Sequence, residues 1–215
     1  MANLEIIGSP QSTFVRVARM ACEEKGIPYE LTAVPPHSPE VKAIHPFGKI
    51  PAIRHGDLEL CESQAIARYL DRTFDGPKLI PDEARAAAQV EQWVSIINTT
   101  IDPVMIRAYV LGYVFPKGAD GKPDRKAIEE AVDKMRTQVD VLDRRVAETG
   151  HLAGNGFTLA DIDLMPILFY VRQFPEGGEL MKGARNLEAY YARHAARPSF
   201  KNTMPPPPPP TQSKP

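Results

Sequence analysis

The chain has 215 residues, 43% of them hydrophobic, which is enough apolar material for one large core or two small ones. Its 26 basic and 27 acidic residues leave a formal net charge of -1 at pH 7, so no basic field exists to attract phosphate backbones or acidic membranes. We therefore expect neither nucleic acid nor a membrane among the partners of this protein.

The start of the chain and its cysteines indicate a cellular compartment. Residues 1–10 have neither the basic start nor the apolar stretch of an export signal, and no apolar run approaches the roughly 20 residues that span a bilayer. A cytoplasmic location is the expectation. Cys22 and Cys61 both sit in apolar helix or strand patterns, so we expect them to be reduced and structural.

The first 76 residues alternate short β-type runs with helical periodicity, the pattern of an α/β domain. A strand is predicted from Leu4 to Ile7, a helix from Ser12 to Lys25 and a second strand from Tyr29 to Val34. The prolines within residues 35–39 predict a loop, because proline neither donates to a ladder nor continues a helix.

A hairpin and a helix complete this first domain. The runs Pro51–His55 and Leu58–Cys61 are joined by Gly56-Asp57, which predicts two antiparallel strands. The segment from Glu62 through Phe74 has helical periodicity, so we expect it to pack as a helix on the sheet.

Residues 75–81 predict a linker, and the pattern beyond it is entirely helical. Asp82 is the expected N-cap of the next helix. One apolar stripe at alternating spacings of 4 and 3 indicates bundle packing and ends at Gly150. The stripe consists of Ile128, Val132, Met135, Val139, Leu142 and Val146.

A second helix signal begins at Thr158, which forms a capping box with Asp161. The apolar run from Ile162 to Val171 predicts the buried helix of the second domain. The six consecutive prolines within residues 204–215 predict a disordered or polyproline tail. We thus expect an α/β domain over residues 1–76 and an all-helical domain over residues 83–203.

Several short segments belong to one family pattern and occur in its order along residues 4–200. They are Gly8-Ser-Pro-Gln-Ser-Thr-Phe-Val-Arg16, Pro46-Phe-Gly-Lys-Ile-Pro-Ala52, Gly56-Asp-Leu58, Glu62-Ser-Gln-Ala-Ile-Ala-Arg-Tyr69, Ile101-Asp-Pro-Val104, Leu152-Ala-Gly-Asn-Gly-Phe-Thr-Leu-Ala-Asp161 and Arg197-Pro-Ser-Phe200. In these segments the chain resembles the glutathione transferase superfamily, and within that superfamily it resembles the serine-type phi class best known from plants.

The resemblance implies a fold and an activity. The first domain would be thioredoxin-like and hold glutathione, and the helical second domain would supply the pocket for a small hydrophobic electrophile. Glutathione would act as co-substrate, with no further cofactor and no metal at the site. The activity would be glutathione conjugation, with reduction of organic hydroperoxides as a related reaction, and the assembly a homodimer.

Ser12 falls where serine-type members place the hydroxyl that donates a hydrogen bond to the glutathione sulfur, so the resemblance implies a catalytic role. The start of a helix suits that role, because free backbone N–H groups and the positive end of the dipole favour an anion. The alternative is that Ser12 only caps its helix. Thr13 is the second hydroxyl available.

Further residues are assigned to glutathione by the same resemblance. Ile50 and Pro51 correspond to a cis-proline turn whose backbone pairs with the cysteinyl part of the tripeptide. Glu62 and Ser63 would bind the γ-glutamyl group at a helix start, although an acid and a cap there also suit the helix dipole alone.

The glycyl end is less well matched to the class pattern. Lys49 is the candidate for the glycyl carboxylate, unless it is simply a solvated surface lysine. His45 stands where asparagine commonly precedes Pro-Phe-Gly, and the Pro35-Pro36-His37 loop replaces a usual basic pair. His37 can still reach the glycyl end.

Aromatic residues are candidates for the electrophile pocket and for an interface. Phe14, Tyr109, Tyr113 and Phe115 could line the pocket, but aromatics at helical spacing are more often core. Phe47, in a loop, either inserts into a partner subunit or folds back onto its own domain.

Two other functions fit the same pattern. A non-catalytic carrier is one, since fold does not imply function. A thiol-transfer enzyme is the other, but it needs a nucleophilic cysteine at the helix start. That position holds Ser12, with Cys22 about three turns further on.

Overall fold

The computed structural model describes residues 3–206, which form two compact units. The first unit contains residues 3–75 together with 198–206, and the second contains residues 76–197. The predicted tail at 204–215 lies mostly outside the described residues.

The first unit is built on four strands: β1 (Leu4–Ile7), β2 (Tyr29–Thr32), β3 (Ala52–His55) and β4 (Leu58–Cys61). Their order is β2-β1-β3-β4, with β1 parallel to β2 and antiparallel to β3, and β3 antiparallel to β4. A parallel pair needs a crossover, and helix α1 (Thr13–Lys25) supplies it. The predicted hairpin is confirmed, and β2 ends two residues earlier than predicted.

Two further helices belong to this unit, α2 (Pro39–Ile44) and α3 (Ser63–Thr73). Helical periodicity predicts α3, whereas no pattern predicts an element over residues 40–45, so α2 is a correction. Ser38 caps it by accepting from the Val41 N–H at 3.3 Å, and Pro39 occupies the first turn. Val41 is buried against Ile7 and Ala52, and that packing stabilises so short a helix.

The second unit is helical, as predicted, and its helices are α4 (Ala84–Ile96), α5 (Leu111–Val114), α6 (Arg125–Thr149), α7 (Leu159–Val171), α8 (Pro175–Gly183) and α9 (Arg185–Ala195). Two π-helical segments, Ile97–Ile101 and Pro103–Val110, lie between α4 and α5. The N-cap of α4 is Glu83 rather than the predicted Asp82, because the Glu83 carboxylate accepts from the N–H groups of Arg85 and Ala86, each at 2.8 Å.

The last helix, α10 (Pro198–Asn202), lies in the first unit. The helical pattern along the chain predicts these residues in the second domain, so their place in the first unit is a correction. Two arginines of α1 explain the difference: Arg16 donates to the Phe200 carbonyl at 3.1 Å, and Arg19 donates to those of Asn202 and Thr203. These bonds satisfy carbonyl groups that the end of a helix leaves free.

The N-terminus of α7 carries the predicted capping box between Thr158 and Asp161. Asp161 is fully buried, and its two oxygens accept from Leu152 N, Thr158 N, Thr158 Oγ1 and Tyr190 Oη at 2.9–3.1 Å. Its predicted role as a buried structural cap is confirmed. Among residues 3–206, no helix combines the length and apolar character needed to cross a membrane.

Candidate active site

The register of the sheet brings the candidate glutathione residues to one end of its strands. Ile7 at the end of β1 pairs with Ala52 at the start of β3, and Ala52 pairs with Cys61 at the end of β4. The segments that follow or precede these three positions therefore leave the sheet side by side. They are residues 8–12, 50–51 and 62–63.

The same end receives the loop after β2, because β1 and β2 are parallel and Ile7 pairs with Thr32. The N–H of Gly8 donates to the Thr32 carbonyl at 3.0 Å. Further along this loop, the N–H of His37 donates to the Gly48 carbonyl at 2.8 Å, which places His37 beside Lys49. The seven residues assigned to glutathione thus share one end of the first unit.

Ser12 is the N-cap of α1 and is half-buried. Its Oγ accepts from the Val15 N–H at 3.3 Å, so the capping role weighed in the sequence analysis is present. A hydroxyl also carries one proton to donate. Within the described part of the chain, the Ser12 O–H donates to no protein acceptor. Capping and donation to a ligand are therefore compatible.

The turn at Ile50-Pro51 lies against the loop that leads to Ser12. The peptide bond between these two residues is cis, as the resemblance implied. Gly8 has a φ of +151°. A β-carbon on this residue would stand 2.6 Å from Val15 Cγ2 and 3.0 Å from Ile50 Cβ. Only glycine fits there, so the first turn of α1 and the cis-proline turn can approach closely.

Glu62 and Ser63 stand at the start of α3 with distinct environments. Glu62 is exposed and precedes the helix, whereas Ser63, its first residue, is buried. The backbone N–H groups of this first turn have no partners within an α-helix, so the helix start can accept an anion.

His45 contacts the Glu62 side chain, and no pattern in the sequence predicts this contact. Its Nδ1 accepts from the Phe47 N–H at 3.1 Å, which leaves the ring proton on Nε2. That Nε2 lies 3.4 Å from Glu62 Oε1. One of the two positions at which this sequence departs from the class pattern, His45, therefore orients one of the candidate site residues.

Backbone strain marks the same region. Among residues 3–206, the non-glycine residues with positive φ are His37 at 64° and Glu62 at 72°. Such conformations cost about 1–3 kcal/mol and cluster at functional sites. Both residues were assigned to glutathione on the resemblance, and their backbone is consistent with a site.

The four aromatic candidates for the electrophile pocket have unlike environments. Phe14 is half-buried on α1, and Phe115 is 65% exposed after α5. Tyr113 is half-buried, stacked on Phe174 and hydrogen-bonded to Glu176 at 2.7 Å. Tyr109 is fully buried and its hydroxyl donates to Glu176, so the structure places it in the core rather than on a pocket wall.

The two cysteines are free, as expected. Cys22 is fully buried on α1, and burial raises the pKa of its thiol to about 12. Burial also raises the pKa of the Cys61 thiol. A thiolate is the nucleophile in thiol transfer, so Cys22 does not fit the thiol-transfer alternative.

Comparison with known proteins identifies the family. Models of the N-terminal and C-terminal domains of glutathione S-transferases match residues 6–78 and 125–193. The probable glutathione S-transferase GSTF1 of Oryza sativa subsp. japonica is 30% identical, with 94% of this chain and 95% of that protein covered. Glutathione S-transferase 3 of Zea mays is 33% identical, with 95% of this chain and 94% of that protein covered.

Solved structures agree with these matches. The structure of glutathione S-transferase I from maize, in complex with an atrazine glutathione conjugate, aligns with this chain with a TM-score of 0.83 at 25% sequence identity. The alignment covers 94% of this chain and 96% of the maize chain. The F-type name of the rice relative agrees with the phi class that the sequence resembles. The chain belongs to the glutathione S-transferase family.

Proposed function

We propose that this transferase binds glutathione at the end of the sheet where β1 and β4 end and β3 begins, and that it activates the glutathione thiol through Ser12. The observation that carries the proposal is the position of the Ser12 hydroxyl. It stands at a helix start, and among the described residues its proton has no protein acceptor. The thiol proton passes to solvent, and the thiolate attacks an electrophilic carbon of a small hydrophobic molecule; with an aromatic halide the new C–S bond replaces the carbon–halogen bond, and halide ion leaves.

The energy required is within reach of one hydroxyl. A free thiol of pKa about 8.5 is about 3% thiolate at pH 7, and lowering the pKa to about 6.5 requires roughly 2.7 kcal/mol. A hydrogen bond to a charged group contributes roughly 1.5–3 kcal/mol, and the helix dipole adds roughly 0.3–1 kcal/mol. Ser12 and the N-terminus of α1 together suffice.

The rest of glutathione would be held by groups remote from the sulfur. Glu62, oriented by His45, pairs with the γ-glutamyl ammonium, and Ser63 at the start of α3 binds the γ-glutamyl carboxylate. The Ile50 backbone pairs with the cysteinyl unit. Lys49, which is exposed, and His37 bind the glycyl carboxylate. In this proposal glutathione is a co-substrate and the reaction needs no other cofactor.

Thiolate formation tests the function directly. Titrating the protein with glutathione at pH 7 should produce the ultraviolet absorbance of a thiolate, because Ser12 stabilises the anion. The same protein should conjugate glutathione to an aromatic halide or reduce an organic hydroperoxide. Glutathione binding without a thiolate signal and without turnover would instead favour the non-catalytic carrier.

We also propose that the protein assembles as a homodimer through Phe47. Its side chain is 73% exposed, so it does not fold back onto its own unit. Its backbone N–H is fixed by His45, which presents the ring on a constrained loop. An exposed aromatic on such a loop suits insertion between helices of a second copy, and a two-fold axis would form the contact twice.

Replacing Phe47 with alanine should raise the dimer dissociation constant about 10³-fold. One buried aromatic anchor contributes roughly 2 kcal/mol to the free energy of association, and a two-fold symmetric dimer contains two of them. Light scattering across a dilution series measures the change. Phe115→Ala, which also removes an exposed phenylalanine, is the control. If both variants dissociate like the wild type, Phe47 is not the anchor, and a monomeric wild type would exclude the dimer.

A further inference from the structure

Two histidines and an aspartate of the second unit lie together away from the proposed glutathione site. His151 follows α6, Asp161 is in the first turn of α7, and His194 is in the last turn of α9. One potential ligand atom from each lies within 4.8 Å of the others. The chain has five histidines, and two of them meet here.

His194 is arranged as metal-binding histidines are. It is 2% exposed, and its Nε2 lies 3.3 Å from the Gly150 carbonyl oxygen, which can only accept. Arg193 Nη2 also lies 3.3 Å from this Nε2, but it donates to the Gly150 carbonyl, so the ring proton is assigned to Nε2 and Nδ1 carries a lone pair. Among the described residues, that Nδ1 is buried and has no hydrogen-bond partner. Ligating histidines commonly donate their second ring N–H to a carbonyl or carboxylate in this manner.

His151 repeats the feature. It is half-buried, and within residues 3–206 its Nδ1 is likewise buried without a partner. Burial lowers the pKa of His194 to about 4 and lowers that of His151 as well, so neutral rings are favoured. Two buried imidazole nitrogens without partners are costly unless something binds them.

Asp161 supplies an oxygen and a negative charge. Its four hydrogen bonds occupy the lone pairs of the carboxylate, but one of them comes from the Thr158 hydroxyl, which can rotate away. Two arginines place positive charge near the site and so oppose a metal ion. Arg193 donates to the Gly150 carbonyl. Burial is the largest cause of the lowered pKa values of the two histidines, and the charges of Arg193 and Arg197 lower them further. They reduce the affinity of the site without blocking its donor atoms.

We propose that His151, Asp161 and His194 form a binding site for a divalent transition-metal ion such as Zn²⁺. Two imidazole nitrogens and one carboxylate oxygen are a donor set that Zn²⁺ accepts. Tetrahedral ligands at about 2.0–2.1 Å from the metal are roughly 3.4 Å apart, so binding would draw the three groups together. The ion would tie the loop after α6 to the ends of α7 and α9.

Zinc titration of untagged, chelator-treated protein tests the site, with glutathione absent because its thiol also binds zinc. Calorimetry should show one Zn²⁺ per chain, and the melting temperature should rise because the ion binds the folded state. Replacing Zn²⁺ with Co²⁺ should give the visible absorption of a tetrahedral centre. The proposal is wrong if the wild type binds no Zn²⁺ and its melting temperature does not change.

Matched histidine variants locate the ion. His151→Gln should weaken Zn²⁺ binding by about 10-fold or more, as should His194→Gln, because each removes a ligand. His55→Gln removes a histidine of the first unit that is hydrogen-bonded to Tyr69, and it should bind Zn²⁺ like the wild type. Circular dichroism confirms folding, and His151→Gln is the milder change because its side chain is only half-buried. Binding that survives in both variants would place the ion elsewhere and overturn the proposal.

Discussion

Replacing Ser12 with alanine is expected to lower kcat/KM for conjugation of an aromatic halide by about 10²–10³-fold, or about 2.7–4 kcal/mol of transition-state stabilisation. The Ser12 hydroxyl would donate to a sulfur whose charge is fully developed only in the activated state. Glutathione affinity should change much less, because the residues proposed to bind the tripeptide lie remote from the sulfur.

The pKa of bound glutathione distinguishes activation from capping. In the variant it should return towards about 8.5, the value of a free thiol, so the ultraviolet thiolate signal at pH 7 should almost vanish. Removing a cap alone would cost about 1 kcal/mol of stability without moving this pKa.

Two neighbouring hydroxyls serve as controls. Ser9→Ala removes a hydroxyl from the same loop, where it donates to Gln11 Oε1 at 2.5 Å, and should leave thiolate formation unchanged. Thr13→Val tests the second hydroxyl that the sequence offered. A loss of activity in Thr13→Val with full activity in Ser12→Ala would transfer the role to Thr13.

Local patterns predicted most of the first unit, whereas the family resemblance assigned the residues of the proposed site. Gly56-Asp57 predicted the hairpin, and the apolar periodicity after Ser12 predicted α1 with Ser12 at its start. These signals depend on residues a few positions apart. The resemblance, not these local signals, assigned Ile50, Glu62 and Ser63 to glutathione, and the register of the sheet then places them at one end of it.

The features that the sequence does not predict depend on contacts between residues far apart in the chain. Arg16 meets Phe200 across 184 positions, and no periodicity indicates that α10 lies in the first unit. The contact of His45 with Glu62 is of the same kind. Helix α2 is different, since Ser38 and Pro39 are ordinary start signals and only the density of prolines concealed them.

The aromatic residues show a third limit. Tyr109 and Tyr113 are four positions apart on a helical segment, and both hydroxyls reach Glu176. Although burial raises its pKa, hydrogen bonds from Arg125 and Tyr113 lower the pKa of Glu176 to about 2, so the acceptor is an anion. Helical spacing cannot tell a buried tyrosine held by a carboxylate from one that lines a pocket, because both need the same apolar face.

Replacing Asp161 with alanine is expected to lower the free energy of unfolding by about 3–5 kcal/mol, the largest stability effect predicted for a single residue of this protein. The carboxylate is fully buried and accepts from two backbone N–H groups and two hydroxyls. Alanine would leave these donors buried without acceptors. Each unsatisfied group costs about 1–3 kcal/mol, with partial relief where the Thr158 and Tyr190 hydroxyls can turn.

Urea unfolding at fixed protein concentration measures the effect, with chelator present so that no metal contributes. A lower midpoint at an unchanged slope would report lost stability rather than a changed unfolded state. Asp143→Ala is the matched control, because this residue is only half-buried and its carboxylate accepts from the N–H groups of Asn186 and Leu187 at the start of α9. Water can replace that carboxylate, so the control should cost about 1 kcal/mol. Equal losses in the two variants would mean that the buried donors around Asp161 find other acceptors, and that this aspartate is an ordinary helix cap.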